Sequence, residues 1–279
     1  MGILGRSDGV RPKREHVLRK IMPHLMPTRT EAIVYFDQEI PITGTRAYLA
    51  QHEEVNLFQV ILAAMARALA ERPGLNRFVA GRKIYQREEV AISFAVKKQF
   101  SDKAKLTTVK VIFEAEDTLA KVGERVKEAV GVGKAEKDTS SEKEMNLASY
   151  LPRSLIRFFV WFLRVADYWG LIPGAMLKND PLYASLFVAN LGSVGLDAAY
   201  HHLFEYGTVP LFAVVGKTKK VPYVKEDDTV GVREVVPIRY TFDERINDGF
   251  YCVKSLENMA RYVEQPELLE APGAAGSID

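Results

Sequence analysis

Strand-like and helix-like apolar segments alternate along these 279 residues, and this alternation restricts the fold more than any other feature of the sequence. Residues 31–40 and 89–96 are rich in β-branched and aromatic residues, which is typical of strands. Between them, the apolar residues of 53–71 recur at helical spacing until Arg-Pro-Gly ends the helix. Interleaved elements without an internal repeat predict an α/β sandwich rather than a solenoid.

The same patterns continue to the end of the chain. We predict a strand at 107–113, a helix at 115–130, a surface loop at 131–144, strands at 186–189, 210–216 and 235–242, a charged turn at 225–228 and a closing helix at 251–263. One domain is expected over residues 13–269. A flexible arm is expected over residues 1–12 and a flexible tail over residues 270–279.

Charge and cysteine content exclude several functional classes. The 38 basic and 36 acidic residues give a net charge of +2, so no nucleic-acid partner is expected. The single cysteine, Cys252, excludes an internal disulfide and every multi-cysteine zinc pattern, and it is typical of a reducing compartment. The first residues lack the apolar run of a secretory signal, so a cytoplasmic location is expected.

The most hydrophobic stretch of the chain covers residues 155–173. Arg157, Arg164 and Asp167 interrupt it, and its uncharged runs are shorter than the roughly 20 residues that span a bilayer. The pattern favours a helix buried in the core or between subunits. A helix lying at a membrane surface is the alternative, although a membrane partner is not expected.

Four stretches of the chain carry recognisable motifs in a fixed order. They are a long helix followed by Pro-Gly-Leu-Asn (56–76), Phe-Val-Ala-Asn-Leu-Gly-Ser-Val-Gly (187–195), Pro-Leu-Phe-Ala-Val-Val-Gly-Lys (210–217) and Asp-Glu-Arg-Ile-Asn-Asp-Gly (243–249). Together they resemble the catalytic domain of dihydrolipoyl acyltransferases, the core subunits of 2-oxoacid dehydrogenase complexes. The resemblance covers about residues 13–269.

This resemblance implies a fold, a substrate and an assembly. The fold is the chloramphenicol acetyltransferase-like two-layer sandwich, a mixed sheet with flanking helices. Coenzyme A or acyl-CoA is the implied substrate, and no covalently bound cofactor or metal is expected. Family members are homotrimers with the active site between neighbouring subunits. The lipoyl domain of the family is not expected before residue 13, so a lipoyl-bearing or dehydrogenase-complex partner would come from another chain.

Two residues depart from the family's catalytic pattern. Glu244 stands where the family has the histidine that deprotonates a thiol. A thiol titrates near 8.5, an imidazole near 6.5 and a glutamate near 4.3, so a carboxylate is the poorer base unless burial raises its pKa. Ala189 stands where the family has an oxyanion-binding serine, and losing one such donor typically costs about 100- to 1,000-fold in rate. The family's channel strand is also not recognisable in residues 106–111.

Other members of the site persist in the sequence. Asp248 is the second residue that the resemblance assigns to the catalytic motif, and the family pairs it with an arginine near the amino terminus, for which Arg14 is the candidate. Lys217 and Ser193 are candidates for binding the substrate, and a solvated loop is the alternative for Lys217. The remaining framework candidates are Asp243, Arg245, Gly249 and Asn190.

His201 and His202, with Glu205, form the remaining cluster of ligand-type side chains. These residue types suggest a metal site or a replacement base, but adjacent histidines are expected to face different directions and no third ligand is evident in the sequence. We therefore favour a structural or subunit-interface role.

Two functions remain open from the sequence, and with them whether the chain is an enzyme. In the first, the parent chemistry is impaired and the protein acts as a trimeric scaffold or binding protein. In the second, it is an active CoA-dependent acyltransferase that uses Glu244 as general base on an acceptor the sequence does not identify.

Overall fold

The computed structural model describes residues 6–13, 15–97, 106–134 and 151–277. Its helices are α1 (Val17–Leu25), α2 (Thr43–Leu49), α3 (Leu57–Glu71), α4 (Leu119–Lys134), α5 (Arg153–Tyr168), α6 (Gly174–Asn179) and α7 (Gly249–Glu264). Its strands are β1 (Ile33–Pro41), β2 (Arg77–Ala80), β3 (Lys83–Gln86), β4 (Val90–Lys97), β5 (Leu106–Phe113), β6 (Leu186–Asn190), β7 (Leu211–Val215), β8 (Lys219–Val224) and β9 (Val230–Asp243).

Seven of the described strands form one mixed sheet. Its order is β1-β9-β7-β6-β4-β5, and β8 pairs with the first part of β9. The β4–β6 and β6–β7 pairs are parallel, and the other pairs of this sheet are antiparallel. Strands β2 and β3 form a separate hairpin. This is the mixed sheet with flanking helices that the sequence predicts.

The two faces of the sheet are covered differently. Along β6, Leu186 and Val188 pack in the main core, which also contains the buried residues of α3, α4 and α7. Phe187 faces the opposite side, as the two-residue period of a strand requires, and packs with Phe212 and Phe204. Helices therefore cover one face, while part of the segment 198–212 covers the other.

Helix α3 is the central helix of the main core, and its ends follow from the sequence. The Asn56 side chain accepts a hydrogen bond from the Gln59 backbone N–H, and the Gln59 side chain accepts one from the Asn56 backbone N–H. This capping box satisfies two amide groups that the first turn leaves unpaired. At the other end, Pro73 prevents the helix from continuing past Arg72.

Two elements extend beyond their predicted limits. Helix α4 continues through Gly131 and Gly133 to Lys134, where a loop was predicted, because a glycine at 133 lets it approach Val109 of β5: a Cβ there would lie 3.0 Å from that side chain. The rest of the predicted loop, residues 135–144, lies outside the described residues. Strand β9 begins at Val230, five residues before the predicted start at 235, because this part of it pairs with β8. Strand β8 itself is not predicted, since the lysines in residues 219–224 do not give a strand pattern.

The described terminal segments pack against the domain, unlike the flexible arm and tail predicted for 1–12 and 270–279. Val10 forms a β-bridge with Gln86, and Arg6 is 8% exposed. At the other end, the Gly276 N–H donates to the Ala70 carbonyl, and Arg67 donates to the Ala271 carbonyl at 2.7 Å. A buried arginine takes part at each end: Arg6 belongs to the amino-terminal segment itself, and Arg67 lies on α3. Polar, glycine-containing sequence does not indicate such contacts.

Helix α5 is not buried in the core of this chain, which corrects one of the two positions predicted for it. Ala166 is its only buried residue. Its large apolar side chains remain 36–58% exposed at Leu155, Phe158, Phe159, Val160, Trp161, Phe162, Val165 and Tyr168. None of the helices among the described residues combines the length and the hydropathy needed to cross a membrane.

Candidate functional site

A buried ion pair fixes the backbone directly after β9. The Asp243 and Arg245 side chains are 0% and 2% exposed and lie 2.6 Å apart at Oδ2 and Nη2. Arg245 also donates from Nε to Asp243 Oδ1 at 2.8 Å and from Nη1 to the Met26 carbonyl at 2.9 Å. A charge-assisted, two-pronged contact of this kind has a defined geometry. Both framework residues predicted from the sequence therefore determine the path of residues 243–245.

Glu244 lies between these two residues and faces a pocket instead of the core. Its backbone N–H donates to the Ala32 carbonyl at 2.9 Å, next to the start of β1, and the residue is half-buried. The pocket has a volume of about 540 Å³. Its lining residues are His16, Leu18, Arg19, Met22, Val34, Phe36, Phe242, Glu244, Asn247, Asp248, Gly249 and Cys252.

Asp248 is the N-cap of α7 and contacts a cation from α1. Its Oδ1 accepts from the Tyr251 N–H at 2.8 Å, and its Oδ2 lies 3.3 Å from Arg19 Nη2. Arg19 also donates to the Glu244 backbone carbonyl at 3.4 Å. The Arg19 guanidinium therefore contacts the Asp248 carboxylate and the main chain of Glu244. Arg14, the partner predicted for Asp248, lies outside the described residues.

Cys252 also lines this pocket, and its thiol is a potential nucleophile. Its side chain is buried, and burial, followed by the nearby Asp248 carboxylate, raises the pKa of the thiol to about 11. Thiolates are the nucleophilic form of cysteine. The residue is therefore a packed thiol and not an activated nucleophile.

Gly249 is exposed at the first position of α7. A Cβ at this position would meet no atom within 4 Å in this chain. Nothing in the chain itself explains why the residue is glycine.

The other candidates lie at a different end of the sheet. The Asn190 side chain accepts from the Ser193 N–H at 3.1 Å, and Ser193 Oγ donates to the Asn190 carbonyl at 2.8 Å. These contacts close the turn after β6. Lys217 is exposed after β7, with Nζ 3.9 Å from Asp197 Oδ1. Half-buried Ala189 faces the side of the sheet opposite to the helices.

The strand register gives the distance between Ala189 and Glu244. Ala189 pairs with Val214, which pairs with Arg239, five residues before Glu244. At about 3.3 Å per residue and about 4.8 Å per strand, Ala189 and Glu244 are roughly 20 Å apart. One chain therefore does not bring the proposed base and the proposed oxyanion position together.

The expectation that His201 and His202 face different directions is wrong, because the two rings stack with their centroids 4.9 Å apart. Their other contacts are structural. Each Nδ1 lies within 2.9 Å of the backbone carbonyl of the following residue, and the His201 ring stacks on Phe212 at 4.0 Å. Glu205 accepts hydrogen bonds from the Arg29 and Thr30 backbone and from the Thr30 hydroxyl. Among the described residues, no group of three histidine, cysteine or acidic side chains is arranged to hold a metal.

Sequence reasoning missed α1 and its contribution to the pocket. Arg19 and Met22 lie one turn apart on this helix and face β9 and α7 across the pocket. The amphipathic pattern of residues 17–25 is the signal that predicts the helix. Its position against Glu244 is a long-range contact that no local pattern contains.

Three of the solved structures that match this fold are acyltransferases. A probable dihydrolipoamide acetyltransferase from Listeria monocytogenes 4b F2365 matches with a TM-score of 0.59 and 19% identity, over 92% of this chain and 95% of that chain. The dihydrolipoamide acetyltransferase of Azotobacter vinelandii matches at 0.60 and 15%, over 92% and 93%. A chloramphenicol acetyltransferase matches at 0.55 and 12%, over 89% and 96%. The fold is that of chloramphenicol acetyltransferase-like proteins, as predicted.

The family relationship is found in the sequence as well. Residues 177–271 match the family model of the 2-oxoacid dehydrogenases acyltransferase catalytic domain. No curated protein matches the chain at a significant level. The predicted relationship to the acyltransferase core of 2-oxoacid dehydrogenase complexes is therefore confirmed, with the family model matching the carboxy-terminal part that holds Ala189 and Glu244.

Proposed function

We propose that this protein is a trimeric member of the acyltransferase fold in which the parent thiol chemistry is impaired, and that it acts as a scaffold or binding protein. The observation that carries the proposal is the pocket at Glu244. Its framework of Asp243, Arg245 and Asp248 is intact, but it presents the Glu244 carboxylate at the position where the family resemblance implies a histidine. A glutamate carboxylate ordinarily titrates about four pKa units below a thiol, so this residue type is a weak base for a thiol.

The trimer is part of this proposal because one chain holds only half of a site. Ala189 and Glu244 are separated by roughly 20 Å within the chain. A neighbouring copy could bring its Ala189 face to the Glu244 pocket, as the family resemblance implies. One matching structure is described as the cubic core of the pyruvate dehydrogenase multienzyme complex, which supports assembly in this fold. On this basis, lipoyl-bearing or dehydrogenase subunits are candidate partners.

The second candidate function is an active CoA-dependent acyltransferase with Glu244 as general base. Half-burial of Glu244 in a pocket of about 540 Å³ favours it, since desolvation is the effect that turns a carboxylate into a base. Apolar side chains of Val34, Phe36 and Phe242 supply part of that environment.

The two functions are separated by acyl-transfer assays. The purified protein is incubated with a panel of acyl-CoAs and with thiol, amine and hydroxyl acceptors, and release of CoA thiol is followed. We expect no turnover with thiol acceptors. The double variant Glu244→His with Ala189→Ser should then transfer acetyl groups to a dihydrolipoyl thiol measurably, because it restores a base of suitable pKa and an oxyanion donor.

A different result would favour the second function. Wild-type turnover that Glu244→Gln abolishes, while Lys254→Gln on the exposed face of α7 leaves it unchanged, would identify Glu244 as the base and refute impaired chemistry. Saturable CoA binding without turnover would support the binding protein. Light scattering on the eluted protein tests the trimer: we expect about 94 kDa, three times the chain mass of 31.3 kDa.

A further inference from the structure

Helix α5 exposes an aromatic face that the proposed function does not use. Phe158 and Trp161 are each 58% exposed, and Phe162 is 53% exposed. Trp169 and Leu171, which follow directly after the helix, are 61% and 57% exposed. A contiguous apolar surface of this kind marks an interaction site, because single exposed apolar residues are common and clustered aromatic ones are not.

The basic residues of α5 form a stripe along one edge of this face. At 100° per residue, Arg153, Arg157 and Arg164 lie within about 40° of one another around the helix axis. Trp161 and Phe158 follow the stripe at about 80° and 140°. All three arginines are exposed. The only acid of the helix, Asp167, is 2.7 Å from Arg6 Nη1.

The opposite edge of the helix holds it to the domain. Ala166 is buried with Ile172 in a small cluster around Tyr183. Arg6 binds both the side chain and the backbone carbonyl of Asp167. These contacts hold the carboxyl end of α5 against the domain and leave its aromatic face exposed.

A second basic element lies beside the carboxyl end of α5. The turn between β2 and β3 packs there, since a Cβ added to Gly81 would lie 2.3 Å from the Tyr168 carbonyl oxygen. The next two residues of this turn, Arg82 and Lys83, are exposed. Basic side chains therefore lie beside the aromatic face both along α5 and at its carboxyl end.

We propose that α5 docks this protein onto the surface of a bilayer that contains anionic lipids. The 16-residue helix is about 24 Å long, and its exposed apolar face fits the depth that an interfacial helix reaches below the headgroups. Arginines at the edge of that face lie at headgroup level, where each basic residue gains about a fivefold increase in partitioning from anionic lipid. Trp161 and Trp169 suit the same interfacial layer.

Charge favours a lipid surface over a second copy of this chain. A second copy docked through the same face, as in a two-fold dimer, would bring its own three arginines towards this stripe, and the one acid of α5 is already bound to Arg6. Anionic headgroups, in contrast, match five cations on two adjoining elements. A bilayer thus satisfies the aromatic side chains and the charges together.

The test uses the two tryptophans, which are the only ones in the chain and both lie on this surface. The full-length protein is titrated with vesicles of phosphatidylcholine alone or with 30% phosphatidylglycerol. We expect a blue shift of tryptophan emission, quenching by brominated acyl chains, and sedimentation with the anionic vesicles. Sedimentation should decrease as salt rises, because ions screen the headgroup charge.

Matched variants separate the two contributions. The triple variant Arg153→Gln, Arg157→Gln and Arg164→Gln should bind anionic vesicles about a hundredfold more weakly, from about fivefold per arginine. The double variant Phe158→Ser and Phe162→Ser should bind the vesicles at least about tenfold more weakly, because two aromatic side chains are no longer buried in the bilayer. Phe250→Ser removes a phenylalanine that is 75% exposed on α7 and should bind as wild type.

Two results would overturn the proposal. One is emission that is already blue-shifted in buffer, changes with protein dilution and ignores vesicles, since a second copy would then cover α5. The other is red, solvent-exposed emission that anionic vesicles do not alter, with no co-sedimentation. Unchanged circular dichroism and melting temperature of the variants establish that weaker binding does not arise from unfolding.

Discussion

At Glu244 the main chain is held more tightly than the side chain. The buried Asp243–Arg245 pair and the hydrogen bond to Ala32 fix the backbone on both sides. The side chain faces the pocket, which Arg19 and the buried Cys252 also line. The residue type at position 244 can therefore change without loss of the loop that carries it, so a carboxylate can occupy this position while the Asp243–Arg245 pair stays in place.

The pKa of Cys252 gives a prediction at the same scale. Because burial raises this pKa to about 11, the native protein should react with a disulfide reagent at pH 8 at least about a hundredfold more slowly than the urea-unfolded chain. Between pH 8 and 11 the native rate should rise about tenfold per unit, while the unfolded rate levels off near pH 9. Equal native and unfolded rates at pH 8 would contradict the buried thiol. Cys252 is the only cysteine, so stopped-flow absorbance reads it alone.

At the scale of elements, Asp248, the N-cap of α7, contributes both to the stability of the helix and to the lining of the pocket. Asp248 caps the helix through Tyr251 N and contacts Arg19 of α1 through its second oxygen. The contact to Arg19 is largely exposed, at 61% for the Asp248 side chain, and exposed ion pairs contribute little. The cap is therefore the larger contribution of Asp248 to folding.

Two substitutions at Asp248 separate these roles. Asp248→Ala removes the cap and should lower the free energy of unfolding by about 1 kcal/mol. Asp248→Asn keeps a capping oxygen and removes only the charge, so it should remain within about 0.5 kcal/mol of wild type. Urea unfolding followed by circular dichroism measures both. If the asparagine variant is as unstable as the alanine variant, the ion pair and not the cap is the main contribution.

The periodicity of apolar residues predicts a helix or strand correctly where its apolar face is buried and its polar face is exposed. The alternating pattern of 107–113 and the helical pattern of 57–71 gave β5 and α3 with boundaries close to those observed. Strand β8 and the first five residues of β9 were missed because lysines, glutamate and arginine on an exposed ribbon do not alternate with buried residues. The two strands pair with each other as a hairpin. That pairing depends on contacts between the two segments, which the pattern of either segment alone does not contain.

For the whole molecule, Arg6 links the amino-terminal segment to α5 and to the β2–β3 hairpin. It binds Asp8 and Asp167, whose side chains are 10% and 17% exposed, and its guanidinium lies 5.3 Å from the centre of the Phe78 ring. Removal of one partner from a buried ion network leaves the others without compensation. Arg6 therefore determines how α5 is seated and, with it, where the proposed bilayer surface lies.

Arg6→Ala should lower the free energy of unfolding by about 3 kcal/mol. Lys121→Ala is the control, since it breaks an exposed pair with Glu124 and should cost less than about 0.5 kcal/mol. Urea unfolding monitored by tryptophan emission follows this change directly, because both tryptophans are in or next to α5. A loss equal to that of the control would mean that the amino-terminal segment is not part of the folded unit.

By itself the sequence determined the α/β class, the order of most elements, the family relationship and the segment 243–249. These depend on local periods and on residues adjacent in the chain, which a pattern records directly. Only the tertiary structure decided that Arg19 of α1 completes the Glu244 pocket, that Ala189 lies roughly 20 Å away, and that α5 is exposed. An apolar helix has the same sequence whether a core, a second subunit or a lipid surface covers it. Its covering depends on long-range packing, which no local pattern encodes.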